Sequence, residues 1–240
     1  MQSQRNIMSS LFLGGLLCIG LIAMGALLAE GMLKFRGMDR SVVVKGLSER
    51  EVPADVAIWP LRFTEVGNDL PALYTTLDEQ STHITQFLHE QGFGAEEISV
   101  SQPSLVDRQA QGYNEATVNQ GRYTGAMTVT VYSHQIDKVR AAMSQIGQLG
   151  QSGIALTGQD YGNQTQFLFT DLNRLKPEMI AEATQNARQV ASKFAQDSQS
   201  RLGKIKHASQ GQFSITNRDS NTPYIKKVRI VSTIEYYLGD

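Results

Sequence analysis

The longest periodic pattern in the chain lies at residues 177–202. Apolar residues recur there at steps of three and four, which predicts one amphipathic helix roughly 39 Å long. Pro177 suits a first turn and Gly203 suits a left-handed cap, so both ends are marked. The predicted buried stripe is mostly alanine, which would let a sheet lie close to the helix axis. Its members are Ile180, Ala183, Ala187, Val190, Ala191, Phe194 and Leu202.

A second helical pattern starts after Asn68 or Asp69, either of which can cap it, and ends at Gly92. A shorter helix is predicted at residues 135–146, before a glycine-rich connection at 147–162. The apolar stripe of the second helix comprises Leu70, Leu73, Leu77, Ile84, Phe87 and Leu88.

Alternation of apolar and polar residues predicts the strands. Turn-forming residues between the first two strands predict a turn at residues 46–53. In the last strand, Ile230 and Ile234 share a face that Arg229 and Thr233 do not. The predicted strands are residues 41–45, 54–66, 98–100, 123–132, 164–172, 205–215 and 225–238.

The order of these elements predicts an α+β fold, in which amphipathic helices pack on a mixed, mainly antiparallel sheet. Phe63-Thr64-Glu65 before the first long helix resembles Phe169-Thr170-Asp171 before the second. A strand, a polar segment and an alternating strand then follow each helix. Either one strand–helix–strand–strand unit is used twice, or the similarity is coincidental.

The N-terminal segment is apolar, and residues 7–29 contain no charged side chain. That length is sufficient to cross a bilayer, so we expect a membrane anchor at residues 1–33 and a folded domain at residues 41–240. A cleaved signal peptide is the alternative, with a poor cleavage site at residues 27–29. Basic residues after the span favour a cytoplasmic domain, because positively charged loops tend to remain on the cytoplasmic side. Long domains, however, are exported largely regardless of the charges that flank the span. We therefore expect the domain to lie in the periplasm, either anchored to the inner membrane or soluble after cleavage.

Charge and cysteine content exclude several classes of function. The chain has 22 Lys and Arg against 23 Asp and Glu, a net charge of −1, and no basic run with interleaved aromatic residues. Nucleic acid is therefore not an expected partner. The single cysteine, Cys18, lies in the apolar N-terminal run, so the rest of the chain has no thiol for a disulfide, a metal site or a nucleophile.

Four stretches, taken in order, resemble a family of bacterial envelope proteins. They are the N-terminal apolar run, Val44-Lys45-Gly46-Leu47-Ser48-Glu49-Arg50-Glu51-Val52-Pro53-Ala54-Asp55, Leu202-Gly203-Lys204 and Lys227-Val228-Arg229-Ile230-Val231-Ser232-Thr233-Ile234-Glu235-Tyr236. Together they resemble the SIMPL domain family, the YggE-like periplasmic proteins. The resemblance implies an α+β fold, an envelope location, large ring-like homo-oligomers in some members and a link to oxidative-stress tolerance. It supplies no catalytic residues.

The histidines do not show the spacing of metal ligands. His83 and His89 are six residues apart on one predicted helix and point about 120° away from a shared face. His134 and His207 lie in other predicted elements. We therefore expect no metal site and no cofactor.

Ser48, Glu49 and Asp55 are the most motif-like polar residues, and we expect them to hold the predicted turn at 46–53 by accepting backbone N–H bonds. The stretch around Ser48 lacks the closing glycine of a nucleophile elbow, so no catalytic residue is assigned. The sequence favours a non-enzymatic envelope protein that associates with itself or with envelope partners. The alternative is a carboxylate-dependent hydrolase or ligand-handling enzyme that uses Glu49 and Asp55.

Overall fold

The computed structural model of the chain describes residues 17, 20–28, 40–111, 121–157 and 163–239. The chain divides into two units, each described by itself below. Unit 1 comprises Met1–Glu49, Lys176–Phe213 and Arg229–Asp240, and unit 2 comprises Arg50–Leu175 and Ser214–Val228.

The chain combines consecutive, antiparallel strands with helices, which confirms the predicted α+β class. The strands are β1 (Ser41–Pro53), β2 (Val56–Gly67), β3 (Ile98–Val100), β4 (Ser104–Asp107), β5 (Tyr123–Ser133), β6 (Gln166–Leu168), β7 (Arg201–Gln210), β8 (Ser214–Asn217) and β9 (Ile225–Gly239). The helices are α1 (Leu70–Glu90), α2 (Ile136–Ser144), α3 (Gly147–Gln151) and α4 (Leu172–Asp197). A 3-10 turn occupies Ala95–Glu97, and residues 20–28 are also helical.

The strands form two sheets where one was predicted. The five-stranded sheet has the order β3-β5-β2-β6, and β4 also pairs with β5. β2 and β5 run antiparallel without a register shift from Ala57 opposite Ser133 to Gly67 opposite Tyr123. The core of unit 2 joins the alternate residues of these strands to five of the six predicted stripe residues of α1, all except Leu70. Among its members are Trp59, Leu61, Phe63, Leu73, Leu77, Ile84, Phe87, Leu88, Met127, Val129 and Val131.

The four-stranded sheet has the order β1-β9-β7, and β8 also pairs with β9. β7 and β9 run antiparallel from Arg201 opposite Gly239 to Gln210 opposite Ser232, with register shifts on both sides of Ile205. The alternation predicted for the last strand is confirmed, because Val228, Ile230, Ile234 and Tyr236 are buried.

The predicted repeat is reproduced only in part. β2, β3 and β5 share one sheet, and α1 packs on it. β6, the strand before α4, pairs with β2 in that same sheet instead of joining β7 and β9. α4 therefore packs on the four-stranded sheet but follows a strand of the five-stranded sheet.

The predicted turn at residues 46–53 is wrong, because β1 continues as one strand through Pro53. Val44, Gly46 and Ser48 are buried on one side of this strand. Their alternation is that of an inward-facing strand side, in which small residues occupy the positions nearest to a helix. The change of direction comes after Pro53, at Ala54 and Asp55.

Both predicted ends of the long helix are wrong. α4 begins at Leu172, five residues before Pro177, and ends at Asp197. Gln199 has a φ of 54°, and the N–H of Ser200 donates to the carbonyl of Ala195 at 2.8 Å. This is the geometry of a Schellman motif, with glutamine at the position where glycine is usual. The glycine predicted as the cap lies within β7 instead.

The buried stripe of α4 follows steps of four residues and consists of Met179, Ala183, Ala187, Ala191 and Ala195. The alanines of the predicted stripe are confirmed. Val190 and Phe194, which were predicted to be buried, are exposed. Three-residue steps place these two side chains on the flank of a helix whose contact line follows four-residue steps.

β1 lies directly against α4 at Gly46. A Cβ built on Gly46 would lie 1.8 Å from the carbonyl oxygen of Ala183 and 2.5 Å from the backbone nitrogen of Ala187. Beside this contact, Val44 and Ile234 pack with Ala187 in the core of unit 1. The alanine stripe and Gly46 together allow this close approach, because neither surface carries a side chain larger than a methyl group there.

The predicted membrane anchor falls largely outside the described residues. Residues 20–28 are helical, and their side chains are exposed. No helix in the described part of the chain is long and apolar enough to cross a membrane.

We predict that Gly46→Ala destabilises unit 1, because the new methyl group would overlap backbone atoms that cannot yield. Overpacking typically costs about 1–3 kcal/mol and occasionally more. Ala187→Leu should have the same effect from the helix side. Thermal and urea melts measure the change in free energy of unfolding.

Gly150→Ala is the matched control, because nothing lies within 4 Å of a Cβ built at Gly150 in α3. It should leave stability unchanged or raise it slightly, since alanine favours helices over glycine by about 1 kcal/mol. An unchanged midpoint for Gly46→Ala would contradict the close contact.

Candidate functional site

Ser48 is buried on β1, with 1% of its surface exposed. Its hydroxyl donates to Oε2 of Glu182 on α4 at 2.9 Å. One turn further along the helix, Nδ2 of Asn186 donates to the carbonyl of Leu47 at 2.8 Å. These two bonds hold the flank of α4 on β1 beside Gly46, so Ser48 stabilises the helix–strand contact and not the turn that was predicted.

Asp55 lies just after β1, and its carboxylate holds the segment before α4. Oδ1 and Oδ2 accept the N–H of Thr170 at 2.8 and 2.9 Å, and Oδ2 also accepts the N–H of Asp171 at 2.9 Å. The hydroxyl of Thr170 adds a fourth bond at 3.2 Å. A negative charge at a helix N-terminus is favourable because it complements the helix dipole. Asp55 thus accepts backbone N–H bonds as predicted, but from a segment more than 100 residues away, with sequence separations of 115 and 116.

Glu49 points away from the buried side of β1 and is exposed. The predicted group of Ser48, Glu49 and Asp55 therefore does not hold a common turn: Ser48 contacts α4, and Asp55 contacts the residues that precede α4.

A groove of about 550 Å³ in unit 2 lies at the start of α2. Nδ1 of His134 is 3.0 Å from the backbone carbonyl of Asp55, and the guanidinium of Arg140 stacks 3.8 Å from the ring centre of Tyr224. Arg140 also pairs with Asp137 at 3.3 Å. The polar groups at this groove are therefore largely engaged with one another.

Glu97 lies beside α2 and is ionised more readily than an ordinary glutamate. Burial alone would raise the pKa of Glu97, but hydrogen bonds from Ser133, the N–H of Gly94 and Lys138 outweigh it and hold this pKa below its usual value. Lys138 completes an ion pair with Glu97 at 3.4 Å. The carboxylate consequently fastens α2 to the 3-10 turn and is a poor proton donor.

A second groove, of about 740 Å³, runs along α1. The hydroxyls of Thr82 and Thr85 at this groove donate to carbonyls of their own helix. His89 also lines it, and its Nδ1 lies 2.9 Å from the carbonyl of Phe93. His83 lines a different, smaller groove.

None of these features assembles a metal site. Among the residues that the structure describes, no three His, Cys, Asp or Glu side chains lie close enough together to hold a metal ion.

Most of the chain matches the sequence pattern of one known protein family. The family described as "SIMPL: Protein of unknown function (DUF541)" matches residues 42–230. The chain belongs to the SIMPL family. The match begins in β1 and ends within β9, so it covers the five-stranded sheet, α4 and all but the last part of the four-stranded sheet. Comparison with curated proteins gave no match.

Within the SIMPL domain, three residues from the stretch that resembled the family have structural contacts. Gly46 leaves room for the backbone of α4, and Ser48 donates a hydrogen bond to Glu182 on that helix. Asp55 accepts hydrogen bonds from the residues just before α4. Ser48 and Asp55 were predicted to share one turn because they are close in sequence. Their actual partners lie more than 100 residues further along, at separations of 134 and 115, where local patterns do not reveal them. The alternation of Val44, Gly46 and Ser48 was the signal that could have placed them on one side of a strand.

We predict that Asp55→Asn lowers the free energy of unfolding by about 0.5–1.5 kcal/mol, because the amide keeps one acceptor oxygen but loses the charge and part of the bonding. Thermal melts measure the loss. Asp78→Asn, an exposed position on α1, is the control and should leave the midpoint unchanged. A catalytic role would appear differently: an unaltered melt and assembly together with lost peroxide tolerance in a complementation assay would contradict the structural role of Asp55.

Proposed function

We propose that this SIMPL protein is a non-enzymatic component of the cell envelope, held at the inner membrane with its domain in the periplasm, where it associates with itself or with envelope partners. The observation that carries the proposal is the exposed end strand β7 of the four-stranded sheet.

β7 is available for pairing in a way that β9 is not. β9 lies between two strands, whereas β1 and β7 lie at the two ends of the sheet order. Nearly every residue of β7 is exposed, including Ile205 with 50% of its surface. The strand therefore carries little of the core of unit 1. A long exposed end strand presents backbone N–H and C=O groups to which a strand of another chain can add.

The membrane location rests on the sequence. The uncharged run at residues 7–29 has the length of a span, and a folded domain follows it. Retention of this run gives an anchored protein, and its removal would give a soluble periplasmic one. We also propose that the protein supports oxidative-stress tolerance, and this part of the proposal rests on the family resemblance alone.

The enzymatic alternative would use Glu49 and Asp55. The four hydrogen bonds to the Asp55 carboxylate support a structural role, because a general acid or base needs a free path to its substrate. No observation on Glu49 favours a hydrolase.

Light scattering on the detergent-extracted full chain tests the proposal. We predict a defined assembly larger than one chain, and a smaller particle for Ile205→Lys, because a charge at an exposed end strand opposes the addition of another strand. Tyr74→Lys is the matched control, since Tyr74 is exposed on α1, and it should leave the particle size unchanged. A monomeric wild type, or equal sizes for all three proteins, would contradict self-association through β7.

A further inference from the structure

Arg40 marks one end of unit 1. The carbonyl of Arg40, the residue before β1, accepts the N–H of Leu238 at 2.8 Å, and its guanidinium donates to Ser200 at 3.3 Å. The start of β1, the end of β9 and the loop after α4 therefore meet at Arg40. We call this region the tether end.

Large apolar side chains are exposed on the three segments that meet at the tether end. Phe194 lies three residues before the end of α4 with 56% of its surface exposed, and Val43 lies near the start of β1 with 61% exposed. Tyr237, next to Leu238 on β9, is 39% exposed. Exposed aromatic residues beside an apolar run are characteristic of segments at a membrane interface, where a ring can lie at the depth of the headgroups.

Two cationic side chains lie on β7 near the tether end. Arg201 lies opposite Gly239 at the start of β7, and Lys204 follows on the same strand. Neither forms an ion pair with another described residue, whereas Lys193 is paired with Asp197 at 2.8 Å. Two further carboxylates, Asp39 and Asp240, adjoin this end in sequence but lie outside the described residues.

The charge of the two units differs in sign. Unit 1 carries 12 Lys and Arg against 8 Asp and Glu, and unit 2 carries 10 against 15. The basic unit is the one to which the apolar N-terminal run belongs. A surface of anionic lipid would attract unit 1 and not unit 2, and the attraction falls off within a Debye length.

We propose that the tether end lies against anionic lipid headgroups, with Phe194 in the interface and Arg201 and Lys204 on the headgroups. This inference rests on the membrane anchor of the proposed function. Residues 29–39 connect the N-terminal helical residues to Arg40, and eleven residues span at most about 40 Å when fully extended. The tether therefore holds this surface at a high effective concentration next to the bilayer, so that individually weak contacts suffice.

A second copy of the chain is the other candidate occupant, because the acidic unit 2 of a neighbour could meet the same cations. The lipid surface is favoured because the tether brings it to this end in every molecule, without assembly.

Quenching by brominated lipid tests the inference on the full chain, reconstituted into vesicles of phosphatidylcholine and phosphatidylglycerol in equal proportion. Trp59 is the sole tryptophan and is buried, so Phe194→Trp in a Trp59→Phe background reports on the tether end. We expect brominated lipid to quench this fluorescence, and Arg201→Gln with Lys204→Gln to reduce the quenching. Tyr74→Trp in the same background is the control in unit 2 and should not be quenched.

The outcomes are distinguishable. Protein that is lost from the vesicles after a carbonate wash contradicts the anchor, and with it both proposals. Protein that stays inserted but shows no quenching at position 194 overturns the inference alone. Shielding of position 194 from a soluble quencher in detergent, rising with protein concentration, assigns the surface to a second copy and also overturns the inference. If Trp59→Phe does not fold, an environment-sensitive dye on Phe194→Cys in a Cys18→Ser background gives the same readings.

Discussion

The architecture of unit 1 depends on the contact between Gly46 and α4. An added methyl group at Gly46 would lie 1.8 Å from the backbone of the helix, so α4 can rest on β1 only because this position has no side chain. The alanine stripe provides the same closeness from the helix side. Ser48 and Asn186 then fix the helix flank by hydrogen bonds to Glu182 and to the backbone of β1. A small contact surface thus determines where a 26-residue helix lies.

Residue patterns correctly predicted the elements whose apolar residues recur at regular steps. They failed where contacts between residues distant in sequence determine the local structure. The α+β class, five of the six predicted stripe residues of α1 and the buried side of β9 follow from local periodicity and were predicted correctly; Leu70 is only half-buried. The start of α4 was not, because Asp55, which holds the residues before it, is 115 residues away in sequence. Gly46 and Ser48 are turn formers by local preference, yet the nearby helix makes them strand residues. Polar residues that resembled a site were thus explained by packing partners that a single sequence does not reveal.

Membership of the SIMPL family identifies the domain, and the exposed surfaces suggest how it works. β7 offers backbone groups at the end of a sheet. The tether end combines exposed apolar side chains with Arg201 and Lys204, which form no ion pair with another residue that the structure describes. Both features lie in unit 1, and the apolar N-terminal run belongs to it as well. We propose that unit 1 carries the contacts with membrane and partners. Ser48 stabilises the fold of that unit, whereas the bonds of Asp55 lie within unit 2.

Native-state hydrogen exchange on the full chain tests most directly whether the Gly46 contact organises unit 1. If α4 and the sheet open together, the amides of Ala187 and Ala191 and those of Ile234 and Tyr236 will exchange with the same opening free energy and the same denaturant dependence. Exchange of the α4 amides at a clearly lower free energy than the β9 amides would contradict the account, because the helix would then detach while the sheet stays intact.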